Sequence, residues 1–262
     1  MTTTDRTLAV AAAEAGAAVV RSCYGSPLSR VDKGAGDFAT SADLDAEAAI
    51  VNLLRAARPH DAVHGEERGQ TGAGERTWLV DPLCGTLNFA VSTPLASVNV
   101  ALRDHGRITA AAVADPFAGE VFWIDGGTAR DGRGAPLVPS AASTLVDVNL
   151  DPPFPNRDVF LAARLLADDD FIARFRPRVI STTLAVAWVA AGRRAAYVTD
   201  GHLRDSVHFA AGIALCQAAG CVVTSLDGGP PHTGTEGLIV AADARTHAAL
   251  RELIARQRDS RA

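Results

Sequence analysis

The sequence carries no excess of basic residues. Its 25 Lys and Arg stand against 30 Asp and Glu, a formal net charge of −5 over 262 residues. A nucleic-acid backbone demands a basic face, so no nucleic-acid partner is expected. No stretch reaches the ~18–20 consecutive apolar residues of a membrane span, so no membrane is expected either. The Ala-rich start contains Asp5, Arg6 and Glu14 and is not a secretion segment. The four cysteines, Cys23, Cys84, Cys216 and Cys221, show neither paired spacing nor a zinc-finger pattern. With no signal peptide the expected compartment is the reducing cytoplasm. There is no internal repeat and no low-complexity segment. With 48% hydrophobic and 21% charged residues, a full core is expected and disorder is not. The length suits one large domain or two small ones.

The chain centres on Trp78-Leu79-Val80-Asp81-Pro82-Leu83-Cys84-Gly85-Thr86-Leu87-Asn88-Phe89. Trp78 to Val80 read as the end of a buried strand that Pro82 stops. Gly85-Thr86 opens a turn, beyond which a helix can start. An acidic residue at a strand end beside free backbone N–H groups suits a metal and a phosphate together. The same residues also read as a strand, a turn and a tightly packed glycine.

Upstream, Leu8, Ala12, Ala15 and Val19 fall at helical spacing, which predicts a helix from about Thr4 to Cys23. Lys33 to Asp43 reads as a Gly-containing loop. A second helix follows from Asp43 to about Ala57, with Ser41 or Asp43 as N-cap. His64-Gly65-Glu66-Glu67 follows a short apolar piece, and two adjacent carboxylates there also fit a solvated turn. Strands are predicted over Ser97–Leu102, 108–113 and Gly119–Ile124, then a surface loop at Gly126-Gly127, Gly132 and Gly134. After a junction near 140–155, strand and helix alternate. Strands are expected at Val146–Leu150, Arg178–Ser181, Ala195–Val198, Cys221–Thr224 and Gly237–Ala241. Helices are expected at 159–166, Thr182–Ala191, Phe209–Ala219 and Thr246–Arg256, with a loop at 227–234.

The central stretch resembles the signature of the inositol monophosphatase family, Asp-Pro-(Ile/Leu)-Asp-Gly-Thr-x-Asn-Phe, with the second Asp replaced by Cys84. Lys33, Asp37, Phe38, Thr40 and Asp43 also match that family, as does Gly65-Glu66-Glu67. So do Ala210-Ala211-Gly212, Ala218-Ala219-Gly220, Val222-Val223-Thr224 and Asp227-Gly228. Where the family has Trp-Asp before Ala-Ala-Gly, this chain has Val207-His208-Phe209. The resemblance covers nearly the whole chain. It implies an α/β fold of layered αβαβα type, a single domain over 1–262 with an N-terminal half to about 140 and a C-terminal half from about 141.

The resemblance further implies hydrolysis of a phosphate monoester of a small metabolite, a sugar, cyclitol or nucleotide phosphate. Mg²⁺, or else Mn²⁺ or Zn²⁺, would serve as cofactor. One metal would be held by Glu66, Asp81 and the Leu83 carbonyl. Thr86, partnered by Asp43, would orient the attacking water, and Glu66 would act with them. The backbone N–H groups of Gly85 and Thr86 would hold phosphate, beside Cys84 and His208 as substrate-facing positions. Relatives often form dimers, so a homodimer is one expected assembly.

A second metal would rest on three carboxylates in the family, and here only Asp81 remains. Cys84 and His208 stand at the other two positions, and thiol and imidazole bind Mg²⁺ poorly. Three readings follow. The site is a weakened phosphatase with one Mg²⁺. Alternatively, Asp81, Cys84 and His208 hold a softer metal such as Zn²⁺. Alternatively, metal chemistry is lost and the protein binds a phosphometabolite without turnover or does different chemistry in a biosynthetic pathway. In that case the helix starts would lower the Cys84 thiol pKa and keep His208 neutral, giving a nucleophile–base pair.

Overall fold

The computed structural model describes residues 3–34, 37–152, 154–201, 203, 206–231 and 236–259. They form two compact units. The first comprises Met1–Ala135, Thr182–Leu184 and Val207–Leu215, and the second Pro136–Ser181, Ala185–Ser206 and Cys216–Ala262.

The first unit begins with α1 (Asp5–Cys23), capped by the Thr4 hydroxyl, which accepts from the Thr7 N–H at 3.2 Å. Its inward face is Leu8, Ala9, Ala12, Ala13, Gly16, Ala17 and Val20. Ala15 and Val19, expected inside, lie to one side of that stripe, because an Ala-rich helix reads as apolar all round and does not fix its own face. The expected loop after it contains an antiparallel ribbon, β1 (Arg30–Gly34) with β2 (Asp37–Thr40). Ala35 and Gly36 of that loop lie outside the described residues, as do 232–234 of the loop expected at 227–234.

Helix α2 (Ser41–Ala57) is capped by Thr40, not by Ser41 or Asp43. Asp43 is its third residue and reaches back, accepting from the Thr40 N–H at 2.8 Å and from the Thr40 hydroxyl at 2.5 Å. This is the acidic half of a capping box, and it fixes the Asp43 carboxylate at the helix start.

A seven-stranded sheet follows. It is built from β3 (Ala62–Gly65), β4 (Gly69–Thr71), β5 (Arg76–Cys84), β6 (Ser97–Asp104), β7 (Arg107–Asp115), β8 (Glu120–Asp125) and β9 (Thr128–Asp131). The strand order is β4-β3-β5-β6-β7-β8-β9. Strand β9 occupies part of the expected Gly loop: Gly126-Gly127 makes a tight turn and the chain returns along β8. α1 and α2 cover one face, closing a core with Trp78, Val80, Val98, Val100, Leu102, Ala112 and Ala114.

Pro82 does not end β5. The strand continues to Cys84 with its register shifted: Asp81 faces Asn99, and Cys84 faces Ser97. A bulge tolerates a residue that has no N–H to give the ladder. Gly85 then takes φ +110, a left-handed conformation that Gly adopts without strain, and leads into α3 (Thr86–Ala90).

The second unit has a five-stranded sheet in the order β11-β10-β12-β14-β13. The strands are β10 (Leu145–Val148), β11 (Arg176–Val179), β12 (Ala196–Thr199), β13 (Val222–Thr224) and β14 (Leu238–Ala241). The unit's helices are α4 (Ala162–Leu165), α5 (Asp169–Arg174) and α8 (Ala244–Asp259); of α6 (Leu184–Ala190) the first residue, and of α7 (Ala210–Ala219) the residues to Leu215, belong to the first unit and the rest to the second. The helix expected over 159–166 is the single turn α4, and α5 was not anticipated: Asp168 caps it by accepting from the Phe171 N–H at 2.9 Å. Alternate residues of β10, β12 and β14 pack with α4, α5 and α8 in a core around Phe160, Phe171, Leu250 and Leu253. No helix among the described residues is long and apolar enough to cross a membrane.

Candidate active site

The candidate site residues all fall in the first unit, and backbone geometry gathers them. β3 and β5 run parallel, with Gly65 opposite Val80. The chain leaving β3 places Glu66 beside Asp81, and the Glu66 N–H donates to the Val80 carbonyl at 3.0 Å. Two carboxylates thereby emerge from neighbouring strand ends.

Asp81 is fully buried. Its Oδ1 accepts from the Leu83 N–H at 3.2 Å, which holds the bulge. Its Oδ2 accepts from Asn99 Nδ2 at 3.2 Å and pairs with His208 Nδ1 at 2.8 Å. His208 lies just before α7 and keeps 41% of its side-chain surface exposed, with the Nδ1 edge turned inward. The same nitrogen is 4.0 Å from Glu66 Oε2. Lys33 Nζ approaches from β1, 3.3 Å from Glu66 Oε1 and 2.8 Å from Glu67 Oε1.

Thr86 Oγ1 lies 2.9 Å from Asp43 Oδ1 and 3.1 Å from the Leu83 carbonyl. One hydroxyl proton serves one acceptor at a time, and the carboxylate is the stronger. Cys84 Sγ accepts from the Thr183 N–H at 3.2 Å, and its carbonyl accepts from Thr182 Oγ1 at 2.9 Å. Asn99 Nδ2 also donates to Thr183 Oγ1 at 2.9 Å.

Charge follows from this packing. Burial first, and then the Asp81 charge, push the Glu66 carboxyl up to about 8. Asp81 is held below the usual carboxylate range: burial opposes its ionisation, but His208 overcomes that. Burial works against a charged His208, yet Asp81, Cys84 and Glu66 together raise it well above an ordinary histidine. Burial and the neighbouring Asp81 raise the Cys84 thiol. Burial likewise raises Asp43, although the Thr40 and Thr86 hydrogen bonds favour its ionised form.

These directions correct the expectation of a thiolate Cys84 beside a neutral His208. The helix-start argument is outweighed at Cys84 by burial first and then by the Asp81 charge, and at His208 by Asp81, a full charge in direct contact. Protonated Cys84 and charged His208 are the wrong states for a nucleophile and its base.

The residues present give two answers on metals. Glu66 Oε2 is buried with no hydrogen-bond partner, and Glu66 stays protonated to about 8 beside another carboxylate. A crowded carboxylate pair with an unsatisfied oxygen fits a hard cation held by Glu66, Asp81 and the Leu83 carbonyl. The other set does not fit Mg²⁺. The ligand atoms of Asp81, Cys84 and His208 do lie within 4.8 Å of one another. Zn²⁺ would accept oxygen, sulfur and nitrogen donors, but it requires a thiolate and a neutral imidazole. In the metal-free protein both groups are held protonated, so Zn²⁺ would have to displace a proton from each and draw His208 Nδ1 away from Asp81.

Sequence reasoning did not find Asn99, Thr183 or Glu47. Asn99 interrupts the apolar run Val98-Asn99-Val100, and a lone amide in a buried strand is a readable signal. Glu47 is fully buried in α2 and accepts from the Glu67 N–H at 2.7 Å and the Arg68 N–H at 3.1 Å, shaping the loop that carries Glu66. Asn99 Oδ1 is buried without a hydrogen-bond partner.

Fold and site together define a mixed α/β protein with a buried cluster of carboxylates at its strand ends. The inositol monophosphatase family profile matches residues 2–261. The chain is 32% identical over 267 residues to the Nus factor SuhB of Salmonella typhimurium, covering 97% of this chain and 95% of that one. It is 35% identical over 204 residues to the inositol-1-monophosphatase of Caulobacter vibrioides, covering 74% and 78%. The crystal structure of the extragenic suppressor protein suhB from Bartonella henselae matches with a TM-score of 0.84 at 27% identity, covering 94% and 96%. The chain therefore belongs to the inositol monophosphatase family, a family of metal-dependent phosphomonoesterases, and has its α/β fold.

Proposed function

We propose that this protein hydrolyses a phosphate monoester of a small metabolite, a sugar, cyclitol or nucleotide phosphate, using one divalent cation of the Mg²⁺ or Mn²⁺ type. The observation that carries this reading is the Thr86–Asp43 hydrogen bond of 2.9 Å, at the start of α3 and beside the Leu83 carbonyl. Thr86 gives its proton to Asp43, so its oxygen lone pairs are free to hold a water. That water supplies the oxygen that bonds to phosphorus as the ester bond breaks. A bound cation on Glu66, Asp81 and the Leu83 carbonyl would make that water more acidic and polarise the phosphate. The N–H groups of Gly85 and Thr86 open α3, lack intrahelical partners by position, and suit phosphate oxygens.

Cys84 and His208 change the leaving-group side. Positive charge there comes from His208, already paired to Asp81. The assay is phosphate release from a panel of aryl, sugar, cyclitol and nucleotide phosphates with Mg²⁺, Mn²⁺ or Zn²⁺. Metal-dependent release that is lost in Asp43→Asn supports the reading, and no release from any ester with any of these metals overturns it.

A second reading is a phosphometabolite-binding protein without turnover. The His208–Asp81 ion pair favours it, because a side-chain cation occupies the carboxylate that a second metal would share. Some relatives carry the name Nus factor rather than that of a phosphatase, and the expectation of no nucleic-acid partner rests on net charge alone. Calorimetric binding of a phosphate ester with no release of phosphate would select this reading.

A further inference from the structure

Two of the four free thiols meet at the end of one helix. α7 closes with Gly220 at φ +88, whose N–H donates to the Gln217 carbonyl at 3.1 Å. The next N–H, that of Cys221, donates to the Cys216 carbonyl at 2.9 Å. These are the two hydrogen bonds of a Schellman terminus, in which the side chains of the first and last residues of the motif come into contact. Both of those residues are cysteines here. The main-chain bond between them holds their backbones at the close approach that a disulfide requires. Cys216 is fully buried and its thiol donates to the Val186 carbonyl at 3.2 Å, whereas Cys221 is only half-buried. Burial, and then the neighbouring Cys221 thiol, raise Cys216 well above an ordinary cysteine, consistent with side-chain contact.

We propose that Cys216 and Cys221 are a redox modification site that closes to an intramolecular disulfide when hydrogen peroxide is the oxidant. Cys221 is the thiol that solvent can reach. Its sulfur attacks one peroxide oxygen, the O–O bond breaks, and the departing hydroxide takes the Cys221 proton to leave as water. The Cys221 sulfur is then a sulfenic acid. Cys216 sulfur attacks it, the S–O bond breaks, and the departing hydroxyl takes the Cys216 proton as a second water. Two thiols and one peroxide thus give one disulfide and two waters. The bond costs Val186 its thiol donor and closes a loop of only a few residues, so the entropic stabilisation is small and the disulfide is readily reduced. A five-residue spacing that matches no metal or redox motif in the sequence becomes a pair because the chain turns at Gly220.

The test uses the whole chain. Reduced protein is treated with hydrogen peroxide, quenched with an alkylating reagent and mapped by peptide mass spectrometry. The expected product joins Cys216 to Cys221 with the loss of two hydrogens, leaves those two thiols unalkylated, and reverts with dithiothreitol. Cys221→Ser should abolish the link and leave Cys216 alkylatable once the protein is denatured. Cys216→Ser should let Cys221 run on to sulfinic acid. The wild-type map and Cys221→Ser decide the matter even if Cys216→Ser does not fold. The proposal falls if both thiols stay alkylatable under peroxide that fully oxidises a small dithiol control. It falls equally if wild-type Cys221 reaches sulfinic acid while Cys216 remains free.

Discussion

Glu66→Gln should stabilise the metal-free protein at alkaline pH while removing its response to metal. Glu66 is inside the first unit, next to ionised Asp81, and its carboxyl is pushed from 4.5 to about 8. Between those values the unfolded chain has released the Glu66 proton and the native state has kept it. Stability therefore falls as pH rises from about 4.5 to about 8. The full difference corresponds to roughly 5 kcal/mol at ~1.36 kcal/mol per pH unit. Relaxation and water entry reduce such burial penalties, so about 2–4 kcal/mol is expected. Gln keeps the shape and carries no charge. Urea titrations in EDTA should show parent and variant alike near pH 5, with the variant more stable by that margin at pH 8.5. Saturating Mg²⁺, at ~100 times its Kd, should stabilise the parent by about 2.7 kcal/mol and the variant by far less. His208 also titrates above the ordinary histidine range, and its contribution declines as pH rises through that raised value in both proteins. Because the Glu66 charge helps to raise His208, the difference between the two profiles reports Glu66 together with its interaction with His208. Parallel profiles from pH 5 to 8.5 would show that Glu66 ionises normally, and the crowded-carboxylate argument for a cation would fail.

Three other perturbations test separate parts of the site. His208→Ala leaves ionised, fully buried Asp81 without its counter-charge. Breaking a buried pair costs ~3–5 kcal/mol, and the 41% exposure of His208 reduces this to about 2–3 kcal/mol, measurable by urea titration in EDTA at pH 6; no loss would mean that the pair is solvent-screened. Cys84→Asp with His208→Asp restores carboxylates at both altered positions and should raise Mg²⁺-dependent release from alkyl phosphates more than from aryl phosphates, since alkoxides leave badly; a fall in an existing activity would give Cys84 and His208 a positive role. Gly65→Ala would put a Cβ 2.5 Å from Glu47 Oε2, displacing a carboxylate that holds two loop N–H groups, so a loss of about 2–4 kcal/mol by thermal or urea unfolding is expected, and an unchanged stability would show that Glu47 does not hold the Glu66 loop.

What the sequence disclosed, and what it withheld, divides along a physical line. Features that depend on local chain chemistry were legible. The strand into Asp81, the turn at Gly85, and helices ending at Gly192 and Gly220 follow from patterning and from the residues a turn requires. Pro82 misled because a proline that stops a strand and a proline inside a bulge look alike until the partner strand, with Asn99 opposite Asp81, is known. The facing side of α1 was shifted for a related reason: alanine fits any face, and α2 and the sheet choose.

The altered half of the site shows the limit most clearly. Position along the chain was enough to mark Cys84 and His208 as departures at candidate ligand positions. Their charge states were not readable, because helix starts push one way and a contact between residues 81 and 208 pushes the other. A helix terminus acts as about half a charge, while Asp81 brings a whole one to within 2.8 Å of His208. At His208 the nearer and larger charge wins, and at Cys84 burial does so first, so the protonated pair follows from the fold and not from the local sequence. It also explains why the substitutions belong together. Removing two carboxylates leaves Asp81 and Glu66 as neighbouring acids without a second cation, and an imidazolium at 208 supplies part of the missing charge. A neutral residue at 208 would leave that repulsion in place, which is why the His208→Ala and double-aspartate proteins should differ most in EDTA, where no added cation can substitute for the imidazolium.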